Sequence, residues 1–227
     1  RNTLLLNVYN IIFGFPAPIV LALLINEIRN QSFKKLVQTV SYLPHFISTV
    51  VVVGMIVNFL SSDGMINQIL KSFGLSSVQF LMQPEWFRTI YVASGIWQNV
   101  GWNSIIYLAA LSAVDVQQYE AAIIDGAGRF RQMLNVTLPG IMPTITIMFI
   151  FAVGGIMSVG FEKILLLYNG STYETADVIA TYVYRRGLLK SDFSYGTAVG
   201  LFQSVIGFLF LFVTNQFSRR LGETSLW

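Results

Sequence analysis

Five long apolar stretches alternate with polar connections along the chain. Each is close to the 20 or so residues that a helix needs to cross the hydrocarbon core of a bilayer. Because an open strand would leave its backbone groups unpaired in lipid, we predict helices throughout. The fold class is an all-α polytopic membrane protein, a helix bundle forming one domain over residues 1–227, with about five spans at residues 4–26, 40–60, 89–111, 141–161 and 196–217.

The charge of the connections predicts how the spans are oriented. Basic residues occur after the first and third spans and in the tail, at Arg29, Lys34, Lys35, Arg129, Arg131, Arg219 and Arg220. These segments share one side if the spans alternate in direction, and the positive-inside rule makes that side the cytoplasm. Five spans leave the two termini on opposite sides, so we expect a sixth span before Arg1.

Composition agrees with a membrane protein and argues against several other classes. Hydrophobic residues form 54% of the chain and charged residues 11%, whereas soluble domains have about 25% charged residues. The net charge of +3 is small and its basic residues are scattered, which argues against nucleic-acid binding. There is no cysteine, hence no disulfide or thiolate metal site, and we predict no metal ligands.

The connection at residues 112–139, SAVDVQQYEAAIIDGAGRFRQMLNVTLP, is unusually ordered for a loop. Helix-forming residues occupy positions 116–124 and 129–134, separated by Gly126 and Gly128. One of these glycines is expected to adopt the left-handed conformation that ends a helix. Plain connections in bundles have about 2–8 residues. We therefore predict two short helices that dock against another protein.

A spaced motif in this connection resembles the EAA signature of ATP-driven importer permeases. The motif is Glu120-Ala121-Ala122, three residues, Gly126, nine residues, Val136, one residue and Leu138-Pro139. Isoleucine is usual where Val136 stands. Nearly the whole chain resembles the maltose-type carbohydrate permeases, through the segments FGFPAPIVLALLINEIRN, SYLPHFISTVVVVGMIVNFL and NVGWNSIIYLAALSAVDVQQYEAA.

The resemblance implies that this connection forms coupling helices, which dock into an ATP-binding subunit and move when ATP closes two such subunits. Glu120 would meet a basic residue of the ATPase, and Gly126 would form the turn between the helices. The docking residues implied are Glu120, Ala121, Ala122, Asp125, Gly126, Gly128, Arg129, Leu138 and Pro139.

The resemblance also implies the partners and the location of the protein. The partners would be two ATP-binding subunits, a second permease similar to but distinct from this chain, an extracytoplasmic solute-binding protein, a carbohydrate, and the lipid of a bacterial cytoplasmic membrane. Residues 61–88 and 162–195 would receive the solute-binding protein. The chain has no G-x-x-x-x-G-K-[ST] phosphate cradle. We therefore expect ATP and Mg²⁺ on the partner ATPase and no enzymatic activity in this chain.

A polar stripe on the third predicted span is the candidate pathway for the solute. Ser94, Gln98 and Trp102 recur every four residues, with Asn99 and Asn103 beside them. Amides and an indole therefore share one side of the helix. They suit a sugar, whose hydroxyl groups need hydrogen bonds and whose C–H faces pack on aromatic rings. The span contains no charged residue, which argues against an ionic solute.

Helix packing is the alternative explanation for these polar residues, since amides often join helices within membrane bundles. It applies equally to Gln203 on the fifth span, a further pathway candidate. The single histidine, His45, lies beside Pro44 in the second span. We expect it to be packed or hydrogen-bonded rather than to act as a proton-linked switch.

Three other functions remain as alternatives. A membrane-embedded enzyme would need converging catalytic groups or metal ligands within the spans, but the carboxylates lie in loops or at span edges. A secondary transporter or channel normally has an acidic residue or histidine within a span, and it would leave the ordered connection unexplained. A permease for another solute class would share the docking connection, so only the flanking resemblance and the polar stripe favour sugar.

Overall fold

The computed structural model of the protein describes residues 1–220 and 225–226, and most of these lie in helices. In chain order we number the helices α1 (Asn2–Asn26), α2 (Gln31–Tyr42), α3 (Thr49–Leu60), α4 (Met65–Ser72), α5 (Pro84–Ser112), α6 (Val116–Ile124), α7 (Arg129–Gly154), α8 (Phe161–Leu167), α9 (Tyr173–Ala176), α10 (Ile179–Val183) and α11 (Phe193–Arg220). Within α1 and α7, and directly after α10, the backbone forms π-helical turns at Asn10–Gly14, Met133–Thr137 and Tyr184–Leu188.

Among the described residues, four helical stretches are long and apolar enough to cross a membrane. They are Asn2–Asn26, Thr49–Ser72, Arg129–Gly154 and Phe193–Arg220. These stretches overlap the first, second, fourth and fifth predicted spans. The predicted fold class, an all-α multi-pass membrane protein, is therefore confirmed.

The third predicted span corresponds to α5, a helix of 29 residues. At a rise of 1.5 Å per residue it is about 43 Å long, which exceeds the roughly 30 Å of a hydrocarbon core. Its amides, including Gln98 and Asn99, make it less apolar than the other four stretches. α5 packs along α1 and α7 and also contacts α2, so it is the central helix of the bundle.

The second predicted span, residues 40–60, is not one continuous helix. α2 ends at Tyr42, a 3-10 turn occupies Leu43–Phe46, and α3 begins at Thr49. The break follows from Pro44, which has no backbone N–H to donate. Ser48 then caps α3, because its side chain accepts a hydrogen bond from the Val51 N–H. The apolar stretch continues instead through α3 and α4, to Ser72.

Two separate clusters of buried apolar side chains lie at opposite ends of α1 and α5. The first, near the start of both helices, consists of Leu6, Val53, Phe87, Ile164, Leu167, Ala176 and Val178. The second, near their ends, consists of Ile19, Ala22, Tyr107, Leu111 and Ile141. The polar stripe of α5 lies between these clusters, so packing at the two ends holds the helices around a polar centre.

A close backbone approach joins α2 to α5. A Cβ atom added at Gly101 would collide with the backbone of Ser41, so the two helices touch where a side chain is absent. In the same way, a Cβ atom at Gly207 of α11 would lie 2.8 Å from the carbonyl oxygen of Gly154 in α7. Small residues commonly allow such contacts in membrane bundles.

An ion pair joins two of the connections that were predicted to be cytoplasmic. Arg129 Nη1 at the start of α7 lies 3.8 Å from Glu27 Oε2, which follows α1. The connection after the first span and the connection after the third span therefore lie on the same side of the bundle, as the charge pattern predicts.

On the opposite side, residues 61–88 and 162–195 pack together into one unit, which we call the cap. The Asn169 side-chain amide donates to the Leu81 carbonyl at 2.8 Å. Thr175 Oγ1 donates to the Pro84 carbonyl at 2.7 Å. Because these bonds link residues about 90 positions apart, the two long connections form an ordered surface rather than separate loops.

A bidentate ion pair holds the second half of the cap. Arg185 Nη1 and Nη2 donate to the two carboxylate oxygens of Asp177 at 2.8 Å each. Thr181 Oγ1 donates to the same carboxylate at 2.7 Å. Burial acts to raise the pKa of Asp177, but the hydrogen bonds from Arg185 and Thr181 outweigh it and hold the pKa below its ordinary value.

Candidate functional site

A cavity of about 1500 Å³ lies between the two apolar clusters. It is bounded by α1, α5, α7 and α8, by the turn at residues 43–48 and by the start of α3. Pockets for small molecules usually measure about 300–1,000 Å³. The cavity therefore has room for a solute larger than a single small metabolite.

The structure brings four of the six predicted pathway residues to this cavity. The four are Gln98, Asn99, Trp102 and Asn103. The side chain of Asn103 is exposed, and within the described residues it makes no hydrogen bond. Its amide is therefore available to a solute.

Ser94 and Gln203 do not line the cavity. The Ser94 hydroxyl donates to carbonyl oxygens of the preceding turn of its own helix. The Gln203 amide donates to the Met157 carbonyl at 2.8 Å and so joins α11 to the turn after α7. The Gln203 bond fits the helix-packing role that was the alternative explanation, whereas the Ser94 bonds lie within a single helix.

Gln98 and Asn99 line the cavity and also hold the broken second span in place. Gln98 Nε2 donates to the Ile47 carbonyl at 3.1 Å, which is the carbonyl that the helix break frees. His45 Nδ1 lies 3.0 Å from Asn99 Oδ1, and Asn99 Nδ2 donates to the Gly95 carbonyl at 3.0 Å. Both amides therefore have a structural partner as well as a place on the cavity wall.

An aromatic wall stands beside these amides. The rings of His45 and Trp102 stack with centroids 4.6 Å apart and an angle of 4° between their planes. Phe46 contacts Trp102 edge to face at 5.4 Å. All three residues line the cavity, and Trp102 is 42% exposed. A flat apolar ring next to amides matches the amphipathic surface of a sugar.

Sequence reasoning missed two polar side chains of α1 that line the cavity, Asn7 and Asn10. Asn7 Nδ2 also donates to the Ile156 carbonyl at 2.9 Å, which fixes α1 to the turn after α7. The signal was present in the sequence, because two asparagines three positions apart lie on one side of a helix.

Sequence reasoning also missed Lys163, which lines the cavity although it is only 8% exposed. Its Nζ donates to the Tyr91 carbonyl at 3.2 Å and lies 5.2 Å from the centroid of the Tyr91 ring. Burial lowers the pKa of Lys163 to about 8. The available signal was a lysine within the short apolar helix FEKILLL.

The predicted docking connection folds as two helices joined by a tight turn. α6 begins at an Asp115 cap, whose side chain accepts from the Gln117 N–H at 2.9 Å. Gly126 has φ of +73°, while Gly128 has φ of −69° and caps α7. Gly126 therefore provides the left-handed turn, one of the two positions that the sequence left open.

Two backbone hydrogen bonds close this turn. The Gly126 N–H donates to the Ile123 carbonyl at 3.0 Å, and the Ala127 N–H donates to the Ala122 carbonyl at 2.8 Å. This pair is the Schellman arrangement that ends a helix and requires the left-handed residue. The path of the chain out of α6 is thus fixed by backbone bonds around Gly126.

The docking connection presents most of its side chains outward. Of the nine predicted docking residues, Ala122 and Leu138 are half-buried and the others are exposed, namely Glu120, Ala121, Asp125, Gly126, Gly128, Arg129 and Pro139. Apolar neighbours are also uncovered, with Ile123 62%, Ile124 86% and Phe130 68% exposed. Exposed apolar groups beside polar ones typically mark a surface that binds another protein.

The docking connection is attached to helices that border the cavity. The Tyr119 hydroxyl donates to Thr137 Oγ1 at 3.0 Å, which links α6 to α7. Arg129 pairs with Glu27 at the end of α1. These two contacts join the docking connection to α7 and α1, which form two walls of the cavity.

A helical membrane bundle with a central cavity and an exposed helical connection is typical of a transporter subunit. Residues 14–223 match the family described as binding-protein-dependent transport system inner membrane component, and the chain belongs to that family. The resemblance drawn from the EAA motif is confirmed. The family consists of transporter permeases rather than catalytic proteins, and the chain is a multi-pass membrane protein.

Similar proteins include two permeases and one solved structure. YteP of Bacillus subtilis (strain 168), a polygalacturonan/rhamnogalacturonan transport system permease, is 45% identical over 228 residues, covering 100% of this chain and 71% of the relative. AraP of Halalkalibacterium halodurans, an arabinooligosaccharides transport system permease, is 30% identical, and the match covers 96% of this chain and 71% of the relative. A chain in the crystal structure of a bacterial alginate ABC transporter, solved with an alginate pentasaccharide-bound periplasmic protein, matches with a TM-score of 0.95 and 48% identity. The match covers 99% of this chain and 78% of that chain.

Proposed function

We propose that this chain is the permease subunit of an ATP-driven importer that moves an oligosaccharide across a bacterial cytoplasmic membrane by alternating access. The observation that supports the proposal is the exposed docking connection, which is bonded to two helices bordering a large cavity. Such a link allows a partner on the cytoplasmic side to control a solute site in the membrane.

In this mechanism the docking connection acts as a lever. ATP and Mg²⁺ bind the partner ATPases, and their closure displaces α6 with its exposed Glu120 and Ile124. The ion pair of Arg129 with Glu27 and the bond of Tyr119 to Thr137 pass this displacement to α1 and α7. The cavity then opens to one side of the membrane at a time.

The cavity and the relatives together support a carbohydrate as the solute. The stacked His45 and Trp102 rings offer an aromatic surface, and Asn103 offers a free amide. The names of the relatives refer to polygalacturonan, arabinooligosaccharides and alginate. We infer that this chain also transports an oligosaccharide, which a solute-binding protein delivers to the cap.

The second permease of the complex would cover surfaces that this chain leaves open. α11 has only two buried residues within Phe193–Arg220 and exposes large apolar side chains along its length, among them Leu201, Phe202, Phe208 and Phe217. Such a surface faces either lipid or a second helix bundle. We infer a similar but distinct partner, as the family resemblance implies.

Purification from the native host tests the proposal. The wild-type chain, mildly solubilised, should bring with it an ATPase and a second permease. Glu120→Lys and Gly126→Trp should lose the ATPase and keep the second permease, because they alter only the docking connection. Glu174→Lys makes the same charge change at an exposed position of the cap and should retain both partners. Recovery of the wild-type chain alone in several detergents would contradict the importer.

A further inference from the structure

Lys163 differs from the other residues that line the cavity, because it brings a positive charge to a wall that is otherwise built mainly of aromatic, amide and apolar side chains. It extends from α8, outside the four candidate spans. Among the described residues, its Nζ makes one hydrogen bond, to the Tyr91 carbonyl, and lies against the face of the Tyr91 ring. An ammonium group has three N–H donors, and the bond to Tyr91 uses one of them.

The positive charge of Lys163 has no acidic partner in the described part of the chain, where no carboxylate oxygen lies within the 4.0 Å of an ion pair. A buried cation is normally paired, since leaving water is costly. Although burial lowers the pKa of Lys163 to about 8, the group is still mostly protonated at neutral pH. The cavity thus contains a charged donor whose natural counterpart is an anion.

One other charged residue, Glu162, lines the same cavity. Its side chain is exposed, whereas Lys163 is held against α5 by Tyr91. The two neighbours are successive residues of a helix, so they point about 100° apart and do not pair with each other. Glu162 would repel an anionic solute, so the cavity wall contains one group that attracts such a solute and one that repels it.

We propose that Lys163 is a specificity-determining residue and that its ammonium group binds a carboxylate of a uronate-containing oligosaccharide in the cavity. This inference rests on the proposed function and names the substrate class of that same site. A uronate unit matches the wall in two ways, because its C–H face packs on Trp102 while its carboxylate meets Lys163. A neutral sugar would leave the buried ammonium without an anion. Among the similar proteins, one structure is described as importing the acidic polysaccharide alginate.

The test uses the complete importer in proteoliposomes, with its ATPases, second permease and solute-binding protein. The probes are trigalacturonate and trimannuronate, each beside its carboxyl-reduced neutral counterpart. For the acidic probe that the wild type imports, Lys163→Gln should raise KM about 10-fold or more, the scale of a hydrogen bond to a charged group. Lys163→Arg should restore most of the affinity, because it keeps the positive charge.

Two control variants separate a local effect from a general one. Glu162→Gln removes the opposing charge at the neighbouring position and should lower KM for the acidic probe. Lys35→Gln removes an exposed lysine of α2, outside both the cap and the cavity wall, and should leave the ratio of acidic to neutral uptake unchanged.

A labelling experiment covers the case in which Lys163→Gln fails to fold. Lys163 of the wild-type complex is acetylated with a small amine-reactive ester and quantified by mass spectrometry. The acidic probe should protect Lys163 several-fold, and the neutral counterpart should not. Equal protection by both probes would overturn the assignment.

The outcomes also separate this inference from the proposed function. If an acidic probe is imported and Lys163→Gln leaves its KM unchanged, the inference fails and the importer remains. If the wild type imports only neutral saccharides, the inference again fails alone. If the complete complex imports no saccharide of either kind, both the inference and the carbohydrate function fail.

Discussion

The docking connection and the cavity are built in opposite ways. The docking connection is one continuous stretch, residues 112–139, whose side chains mostly point away from the rest of the chain. The cavity is assembled from several distant segments, and polar side chains on its wall, such as Gln98 and Asn99, are bonded to the bundle itself. We therefore expect substitutions in the docking connection to affect transport without affecting stability, and substitutions of bonded cavity residues to affect both.

The sharpest test of this contrast is Ile124→Glu, at a position 86% exposed in this chain. In the free subunit, the change should alter the free energy of unfolding by no more than about 0.5 kcal/mol relative to the wild type, as is usual for surface sites. In the complex, the change would place an unpaired carboxylate in an apolar contact with the ATPase. We expect this to weaken the binding free energy by several kcal/mol. We expect ATPase binding and transport to fall by about 100-fold, measured by co-purification and vesicle uptake.

Ile124→Leu is the matched control, since it keeps an apolar side chain of the same size. It should retain ATPase binding and transport. If Ile124→Glu lowered the thermal midpoint of the isolated permease by many degrees, the contrast between the two regions would be wrong, because the docking connection would then support the fold as well.

Gln98→Ala should have the next largest effect and tests the cavity. It removes the donor that pairs with the Ile47 carbonyl at 3.1 Å. Because this carbonyl is only partly buried, leaving it unpaired should cost up to about 1 kcal/mol, so both thermal stability and transport should fall. Asn103→Ala removes an amide with no partner in the described residues, and it should weaken transport while leaving stability unchanged.

Thermal unfolding in detergent and sugar uptake in vesicles measure these two effects. Should Asn103→Ala destabilise the permease as much as Gln98→Ala, its amide would have a structural role. The division of the cavity wall into bonded and free amides would then be incorrect.

A smaller effect is expected from the turn of the docking connection. A Cβ atom added at Gly126 or at Gly128 would have no neighbouring atom within 4 Å, so both positions have space for a methyl group. Of the two, only Gly126 has a positive φ, of +73°. Gly126→Ala should therefore cost about 1 kcal/mol of local strain and weaken ATPase binding a few-fold. Gly128→Ala should bind normally. Equal behaviour of the two variants in a binding titration would show that the left-handed turn is not required.

The two regions also differ in how far the sequence predicted them. The sequence predicted where the docking connection lies and that it is helical, and it narrowed the left-handed turn to one of two glycines. This was possible because the order of the connection depends on local spacing and on backbone preferences. Four residues of the predicted polar stripe on α5 line the cavity, and their role in the solute pathway stays a prediction. Ser94 and Gln203 do not line the cavity, and their hydrogen bonds to backbone carbonyls leave no trace in helical periodicity.

Lys163 shows why the rest of the cavity could not be predicted. The absence of charge from the third span argued against an ionic solute, but the charge enters from α8, about 70 residues later in the chain. Similarly, His45 meets Trp102 only because Pro44 breaks the second span. Such pairs depend on how distant segments pack, and no single stretch of sequence contains that information.

The smallest expected effect concerns the cap and its Asp177–Arg185 pair. The pKa of Asp177 lies below its ordinary value, so the pair stabilises the folded cap at pH above about 4 and loses this contribution as the pH falls further. Because both side chains are just over a quarter exposed, we expect at most about 1 kcal/mol. Asp177→Asn should therefore increase amide hydrogen exchange in residues 173–188 a few-fold at neutral pH. Asp63→Asn, which breaks a pair whose carboxylate is 98% exposed, should change exchange little. Equal effects of the two variants would mean that the cap gains nothing from the bidentate geometry.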